Sequence, residues 1–266
     1  MDDRFDLYTD FYGNIHVVIY REIRGETYGV DLGQASWITR DECLRFLSWL
    51  QLTESSRVLE VACGSGGIAC FTAAETGAGV VGIDINPEAI QAARERSASM
   101  EIGNNPSFQM ADAAGRLPFA DDVFDAVFCN DSINHLPDRL NVLREWHRIL
   151  RPGGKILYTD PIVVTGQISN EEIALRSSIG FFVFTPPGVN ERLLENAGFT
   201  VLCTEDVTGN VVETSRRWYE ARARRQELLL PMEGQSGFEG LQRFLRMVNE
   251  LSSQGRLSRH AYLARK

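Results

Sequence analysis

Along the chain, short apolar runs bounded by polar or turn residues alternate with stretches whose apolar positions recur at helical spacing. Six runs predict strands at 57–62, 79–84, 107–112, 124–130, 155–161 and 199–206, and a seventh at 260–265 closes the chain. Between them, 66–76, 86–98, 139–150 and 188–197 carry the helical pattern, with Arg151-Pro-Gly-Gly154 stopping one helix before the next strand. This is the alternation of parallel strands joined by crossover helices. It predicts an α/β fold with a doubly wound, mostly parallel, seven-stranded sheet.

Two segments fall outside the alternation. Residues 1–40 lead into a helix at 41–50, striped by Leu44, Leu47 and Leu50, and residues 208–255 form a mostly helical insert before the last strand. Excursions of this length either pad the sheet or cover a site, and they are read here as an N-terminal lid and an insert over a pocket. No internal repeat or linker-like composition divides the chain. A single domain over 1–266 is therefore expected, with a core at 41–207, the insert at 208–255 and a closing strand at 256–266.

Composition narrows the function classes. The chain has 266 residues, 44% of them hydrophobic, enough to bury a sizeable core. The start, MDDRFDLY, is acidic and lacks an apolar leader, and no run approaches the length of a membrane span. The five cysteines form no CxxC pair and several sit in apolar runs, as buried thiols do, so a reducing cytoplasm and no metal site are expected. A net charge of −9 argues against a nucleic-acid or anionic-lipid partner and for a small molecule.

The chemistry concentrates after the first strand. Gly64, Gly66 and Gly67 permit a tight turn at the carboxyl end of the sheet, where such folds bind ligands, and a helix begins there with its positive end. Asp84, ending the second strand, is placed to accept hydrogen bonds from a ribose diol. Any nucleoside cofactor fits that much. Glu60 discriminates: its carboxylate would repel a dinucleotide pyrophosphate but suits a ligand carrying both carboxylate and ammonium, as S-adenosylmethionine does. Ala62, Gly64 and Gly67 only loosely imitate GxGxxG, which counts further against NAD.

Five motifs in order resemble those of the class I S-adenosylmethionine-dependent methyltransferases. EVACGSGG (60–67) is similar to the first, VVGIDINPEAI (80–90) to the second, MADAAGRLPFADDVFDAVFCNDSINHLPD (110–138) to the third and fourth, and LRPGGKILYTDP (150–161) to the fifth. The likeness covers residues 13–266 and implies a Rossmann-like core, with Ala62 standing where the family has a glycine. It also implies roles. Glu60, Ala62 and Gly64, with Gly66 in the turn, would hold the methionyl portion; Asp84 the ribose, Ile85 the adenine face; Asp112 and Ala113 would read the adenine edge; Asn130 would face the methionyl amine. GNIHVVIY (13–20) and the pairing of CNDSINHLPD with ILYTDP resemble the small-molecule branch: sarcosine and dimethylglycine N-methyltransferases, phosphoethanolamine N-methyltransferases and O-methyltransferases for natural-product sugars.

The reaction so implied is methyl transfer from S-adenosylmethionine to nitrogen or oxygen of a small metabolite, with S-adenosylhomocysteine as product, in a monomer or homodimer. The rivals are an NAD-dependent oxidoreductase and a non-catalytic binding protein on the same fold. A hydroxyl acceptor needs a base, and His135 is the candidate, either as base or as a helix cap. Asp131 would orient that ring or hold a cationic acceptor, and Asp160 is expected to face the same crevice. Tyr8 and Tyr20 could reach the cofactor or latch the acceptor, or simply pack in the lid. Phe181 to Phe184 would wall an acceptor pocket or bury a lid contact. The run Arg216, Arg217, Arg222, Arg224 and Arg225 would bind an anionic acceptor group or form a solvated helix face.

Overall fold

A computed structural model describes residues 11–100 and 103–266. The predicted seven-strand sheet is present: β1 Arg57–Val61, β2 Gly79–Asp84, β3 Ser107–Met110, β4 Phe124–Cys129, β5 Leu150–Val164, β6 Thr200–Asp206 and β7 Leu257–Arg265. Their spatial order is β3-β2-β1-β4-β5-β7-β6. All pairs are parallel except those of β7, which runs antiparallel to both β5 and β6. The order reverses between β1 and β4, which opens a crevice beyond their carboxyl ends. This is the Rossmann-like architecture of class I methyltransferases.

Alternation along β1 divides the core. Leu59 and Val61 face one side, where Val142, Leu143 and Trp146 of α5 (Arg139–Ile149) and Leu194 of α7 (Val189–Asn196) cover the sheet. Val58 faces the other, under Phe46, Leu47 and Leu50 of α2 (Arg40–Leu50) and Ile68, Ala69 and Ala73 of α3 (Gly67–Thr76). Glu60 follows Val58 with the period of two and so points a carboxylate toward α3. Asn86 caps α4 (Pro87–Ala98) by accepting from the N–H groups of Glu88 and Ala89, with Pro87 at the first helical position.

A third apolar cluster lies off the sheet. It joins Ile23 of α1 (Val18–Tyr28) and Trp37 to Val211, Trp218 and Ala221 of α8 (Thr208–Ala223) and to Leu229, Phe238, Leu241 and Phe244 of α9 (Gln226–Ser253). The cover and the insert therefore share one core. Ion pairs fasten its margin: Arg225 to Glu26 at 2.5 Å and Glu22 at 3.3 Å, and Arg224 to Glu26.

Several predicted boundaries shift. Arg151-Pro-Gly-Gly154 does not separate helix from strand but forms a bulge inside β5, where the pairing jumps from Phe124 opposite Leu150 to Ala126 opposite Lys155, with Gly153 at φ 82°. β3 stops at Met110 because Asp112 folds into a turn, its Oδ1 accepting from the Ala114 N–H at 2.8 Å. β7 starts at Leu257, and α6 (Asn170–Arg176), closed by a Ser169–Glu172 capping box, was not predicted. In α2 the buried stripe is Cys43, Phe46, Leu47 and Leu50, with Leu44 only partly covered.

Candidate active site

A cavity of about 710 Å³ fills the crevice at the strand-order reversal, and Glu60, Ala62, Gly64, Asp84, Asn130 and His135 line it. The β1 turn is built tightly. Ala62 sits at φ 56°, in the left-handed region, so it carries about 1–2 kcal/mol of strain that glycine would not. Gly64, at φ 53°, admits the Tyr12 hydroxyl to 2.6 Å of where a Cβ would lie, and its N–H donates to Asp84 Oδ2 at 2.8 Å. Asp84 Oδ1 accepts from the Asn86 N–H at 2.9 Å, which leaves lone pairs on both oxygens for a diol. Burial holds the Asp84 carboxyl above its usual range, opposed by those N–H groups.

Glu60 is 4% exposed, and its Oε2 has no hydrogen-bond partner among the described residues. Burial, reinforced by the Asp84 charge, pushes its carboxyl well above the usual range, while the Ala69 N–H acts the other way. A buried acceptor left unpaired on a cavity wall is a rare expense in a folded protein, and an ammonium group from a ligand would relieve it. At the rim, Ile85 exposes 65% of its surface and stands with Asp112 and Ala113 along the cavity edge. The wall thus offers an acid for a cation, an acid for a diol and an apolar face for a base. That set fits an amino-acid nucleoside.

Beyond β4 the polar groups serve each other. Arg259, fully buried on β7, donates from Nε to Asp131 Oδ1 at 2.6 Å, from Nη1 to Glu42 Oε2 at 2.7 Å and from Nη2 to Asn130 Oδ1 at 2.9 Å. Thr159 Oγ1 lies 2.7 Å from Asp131 Oδ1, and the Trp37 N–H donates to Asp131 Oδ2 at 2.9 Å. This network ties the segment at 33–37 to the end of β4.

Residues 52–182 match the family described as a methyltransferase domain. Methyltransferase GfsG of Streptomyces halstedii is 35% identical over 194 residues, an alignment spanning 71% of this chain and 67% of that protein. The 27-O-demethylrifamycin SV methyltransferase of Amycolatopsis mediterranei is 32% identical over 167 residues, spanning 62% of this chain and 61% of that protein. The phosphoethanolamine N-methyltransferase 2 of Haemonchus contortus, solved with phosphomonomethylethanolamine and S-adenosylhomocysteine, superposes with a TM-score of 0.81 at 22% identity, over 97% of this chain and 60% of that one. The chain belongs to the methyltransferase family.

Within this methyltransferase, His135 ends a short 3-10 turn, Ile133–His135, and reaches the cavity. Its Nδ1 lies 2.8 Å from the Phe181 carbonyl, which can only accept, so Nδ1 carries the proton and Nε2 the lone pair. Burial lowers its pKa to about 4; the Phe181 hydrogen bond resists that shift, and the Arg176 and Arg139 charges add to it. The imidazole is neutral at working pH.

Other predicted site residues are placed differently. Gly66 does not line the cavity: its N–H donates to the Cys63 carbonyl, and a Cβ there would meet Phe108 and Ala93, so it serves helix packing. Tyr20 is not at the cofactor wall either. Its hydroxyl donates to Glu233, which Arg222 also holds, within the clasp between cover and insert. Asp131 lines the cavity, but Arg259, Thr159 and Trp37 occupy its oxygens, so it braces the wall instead of orienting His135. The Asn130 Oδ1 is likewise taken, by Arg259 and Thr159. Asp160, expected in the crevice, is fully buried against Arg139 at 2.5 Å, Thr185 and Asn190. The arginine run is spent on carboxylates: Arg216 on Glu213 and Glu220, Arg217 on Glu213, Arg222 on Glu233. Tyr8 lies outside the described residues. Phe181 does line the cavity. Sequence reasoning missed Arg259 and Glu42, and it missed the cavity-lining stretch Gln34 to Ser36; none of these carries a local signal, since the Arg259–Glu42 pair spans 217 positions.

Proposed function

We propose that this methyltransferase moves the methyl group of S-adenosylmethionine to nitrogen or oxygen of a small-molecule acceptor. The observation that carries the reading is Glu60: a buried carboxylate with an unpaired oxygen, in one cavity with the Gly64 turn and Asp84. A pyrophosphate placed there would meet two acids, which disfavours an NAD-dependent role. Glu60, Ala62 and Gly64 would hold the methionyl end, Asp84 the ribose, and Ile85, Asp112 and Ala113 the adenine. Asn130 would face the methionyl ammonium with its backbone, because its one side-chain acceptor, Oδ1, is engaged. When bound, S-adenosylmethionine supplies a methyl group already activated by its sulfonium. The protein's remaining tasks are to position the acceptor, exclude water and take a proton. His135, kept neutral by burial and with its Nε2 lone pair unprotonated, is placed at the cavity to take that proton as it becomes acidic in the transfer.

The names of the relatives support small metabolites as acceptors, both nitrogen and oxygen. The proposal includes a single domain over 1–266, a monomer or homodimer and a cytoplasmic setting, the last in keeping with five free thiols. Among the described residues no helix is long and apolar enough to cross a membrane. Calorimetric titration tests the donor assignment. S-adenosylhomocysteine should bind in the micromolar range and NAD should give no heat; the reverse result would end the proposal.

A further inference from the structure

Behind His135 lies a second, smaller cavity of about 30 Å³, room for one water-sized group. It shares Ala35, Ser36, Asp131, His135 and Ile179 with the large cavity, so the two adjoin along one wall. Its far side is aromatic, formed by Phe11, Trp37, Phe182, Trp218 and Phe244. A carboxamide lines the niche with these rings. Asn134 is 0% exposed, lines the niche, and neither its Oδ1 nor its Nδ2 has a hydrogen-bond partner among the described residues. The turn holds it there through its own carbonyl, which accepts from the Val183 N–H at 2.8 Å.

Two polar atoms left unpaired at full burial are costly, and apolar packing would be better served by leucine. The complement of such an amide must donate to Oδ1 and accept from Nδ2. A hydroxyl does both; an ammonium only donates, and a carboxylate or phosphate only accepts. The aromatic walls would otherwise suit an ammonium ion, but Arg176, which also lines the niche, lies 4.6 Å over Phe182 and 5.0 Å over Phe244, so a second cation would enter against like charge, while an anion drawn by Arg176 would meet Asp131 on the same wall.

Resting on the methyl-transfer reading above, we propose that this niche is the acceptor subsite, that Asn134 grips an uncharged hydroxyl there beside His135, and that the chain is accordingly an O-methyltransferase for hydroxylated, largely apolar molecules. In the transfer, the acceptor oxygen gains the methyl group and loses its proton to His135 Nε2. The spent donor departs as a neutral thioether.

The test is binding, independent of turnover. Benzyl alcohol, benzylammonium and benzoate present the same ring with a hydroxyl, a cation and an anion. Each is titrated into the intact chain, with and without S-adenosylhomocysteine, and followed by protein NMR shifts. The wild type should bind the alcohol about 10-fold tighter than either ion, on the scale of one well-made hydrogen bond. Asn134→Leu should lose that preference while unfolding no earlier than wild type, and Asn134→Asp, which replaces the donor with a charge, should turn it toward benzylammonium. Equal binding of the three probes, an ion bound best, no alcohol binding, or a preference kept in Asn134→Leu would each overturn the assignment. Should the leucine variant fail to fold, the wild-type and aspartate titrations decide alone. Loss of S-adenosylhomocysteine binding with the alcohol preference intact would refute the donor reading and not the niche; the converse would refute the niche only.

Discussion

Replacing Glu60 with glutamine keeps the side chain's shape and its contact with the Ala69 N–H while removing the charge. In the ligand-free protein this is a relief. Wild-type Glu60 is 4% exposed with an unpaired Oε2, and an unsatisfied buried acceptor costs about 1–3 kcal/mol, more when ionised. Because burial and then Asp84 raise the folded-state pKa of Glu60, the folded chain holds a proton, between the ordinary glutamate range and that raised value, which the unfolded chain has lost. Stability therefore falls as pH rises through that window. Glu60→Gln should remove much of the fall, leaving the part due to Asp84, and unfold at or above the wild-type temperature at neutral pH. Binding should respond oppositely. Losing a charge-assisted hydrogen bond of about 1.5–3 kcal/mol should weaken S-adenosylhomocysteine by roughly 10- to 150-fold. Within that same window wild-type binding should also release protons, seen as a buffer-dependent heat, and the variant should release fewer, keeping only the part due to Asp84. Calorimetry and thermal unfolding on the same samples measure both effects. An unchanged affinity, or a variant that unfolds earlier at neutral pH, would show that the carboxylate is structural and that the reasoning is wrong.

Other outcomes follow from the same geometry. Asp84→Ala should weaken S-adenosylhomocysteine by about 1–3 kcal/mol by calorimetry, because the Gly64 N–H loses its anchor along with the diol's acceptor. Arg259→Met should cost about 3–5 kcal/mol in denaturant unfolding, since buried Asp131 loses its ion-pair partner and Glu42 keeps only the longer contact with Arg45. Ala62→Gly should keep stability within about 1 kcal/mol or raise it, because relief of the left-handed alanine offsets the added freedom of the unfolded chain. With the folded pKa of His135 near 4, below the ordinary 6.5, the unfolded state binds its proton first, so stability drops as pH falls from about 6.5 toward 4. A urea series across that range should show a shallower drop for His135→Gln.

The sheet was legible because its strands are short, largely apolar stretches bounded by polar or turn residues and each crossover helix has its own period; the Glu60 to Gly67 stretch and Asp84 were legible because their spacing is local. What escaped was set by contacts across the fold. Asp131 reads as a free acid after a strand, but Arg259, 128 positions on, claims it. Asp160 ends no open crevice because β5 continues through it to Val164, turning it into the buried partner of Arg139. Tyr20, Arg222, Arg224 and Arg225 find their partners in glutamates on other helices, which no local pattern shows, whereas Arg216 and Arg217 pair along their own helix as a solvated face does. Asn134 carries no pattern at all; only its burial without partners gives it meaning.

At Gly67 a Cβ would lie 1.4 Å from the Leu32 carbonyl oxygen, so the main chain of the N-terminal segment rests directly on the first turn of α3. Ser65 Oγ donates to the Gly33 carbonyl and the Trp37 N–H reaches Asp131, so the same stretch is stitched down at both ends. A roof fixed so closely is a poor door. Phe181 and Ile85 line the same cavity and stand 55% and 65% exposed, so residence time should answer to changes at those two residues more than to any loosening of the roof.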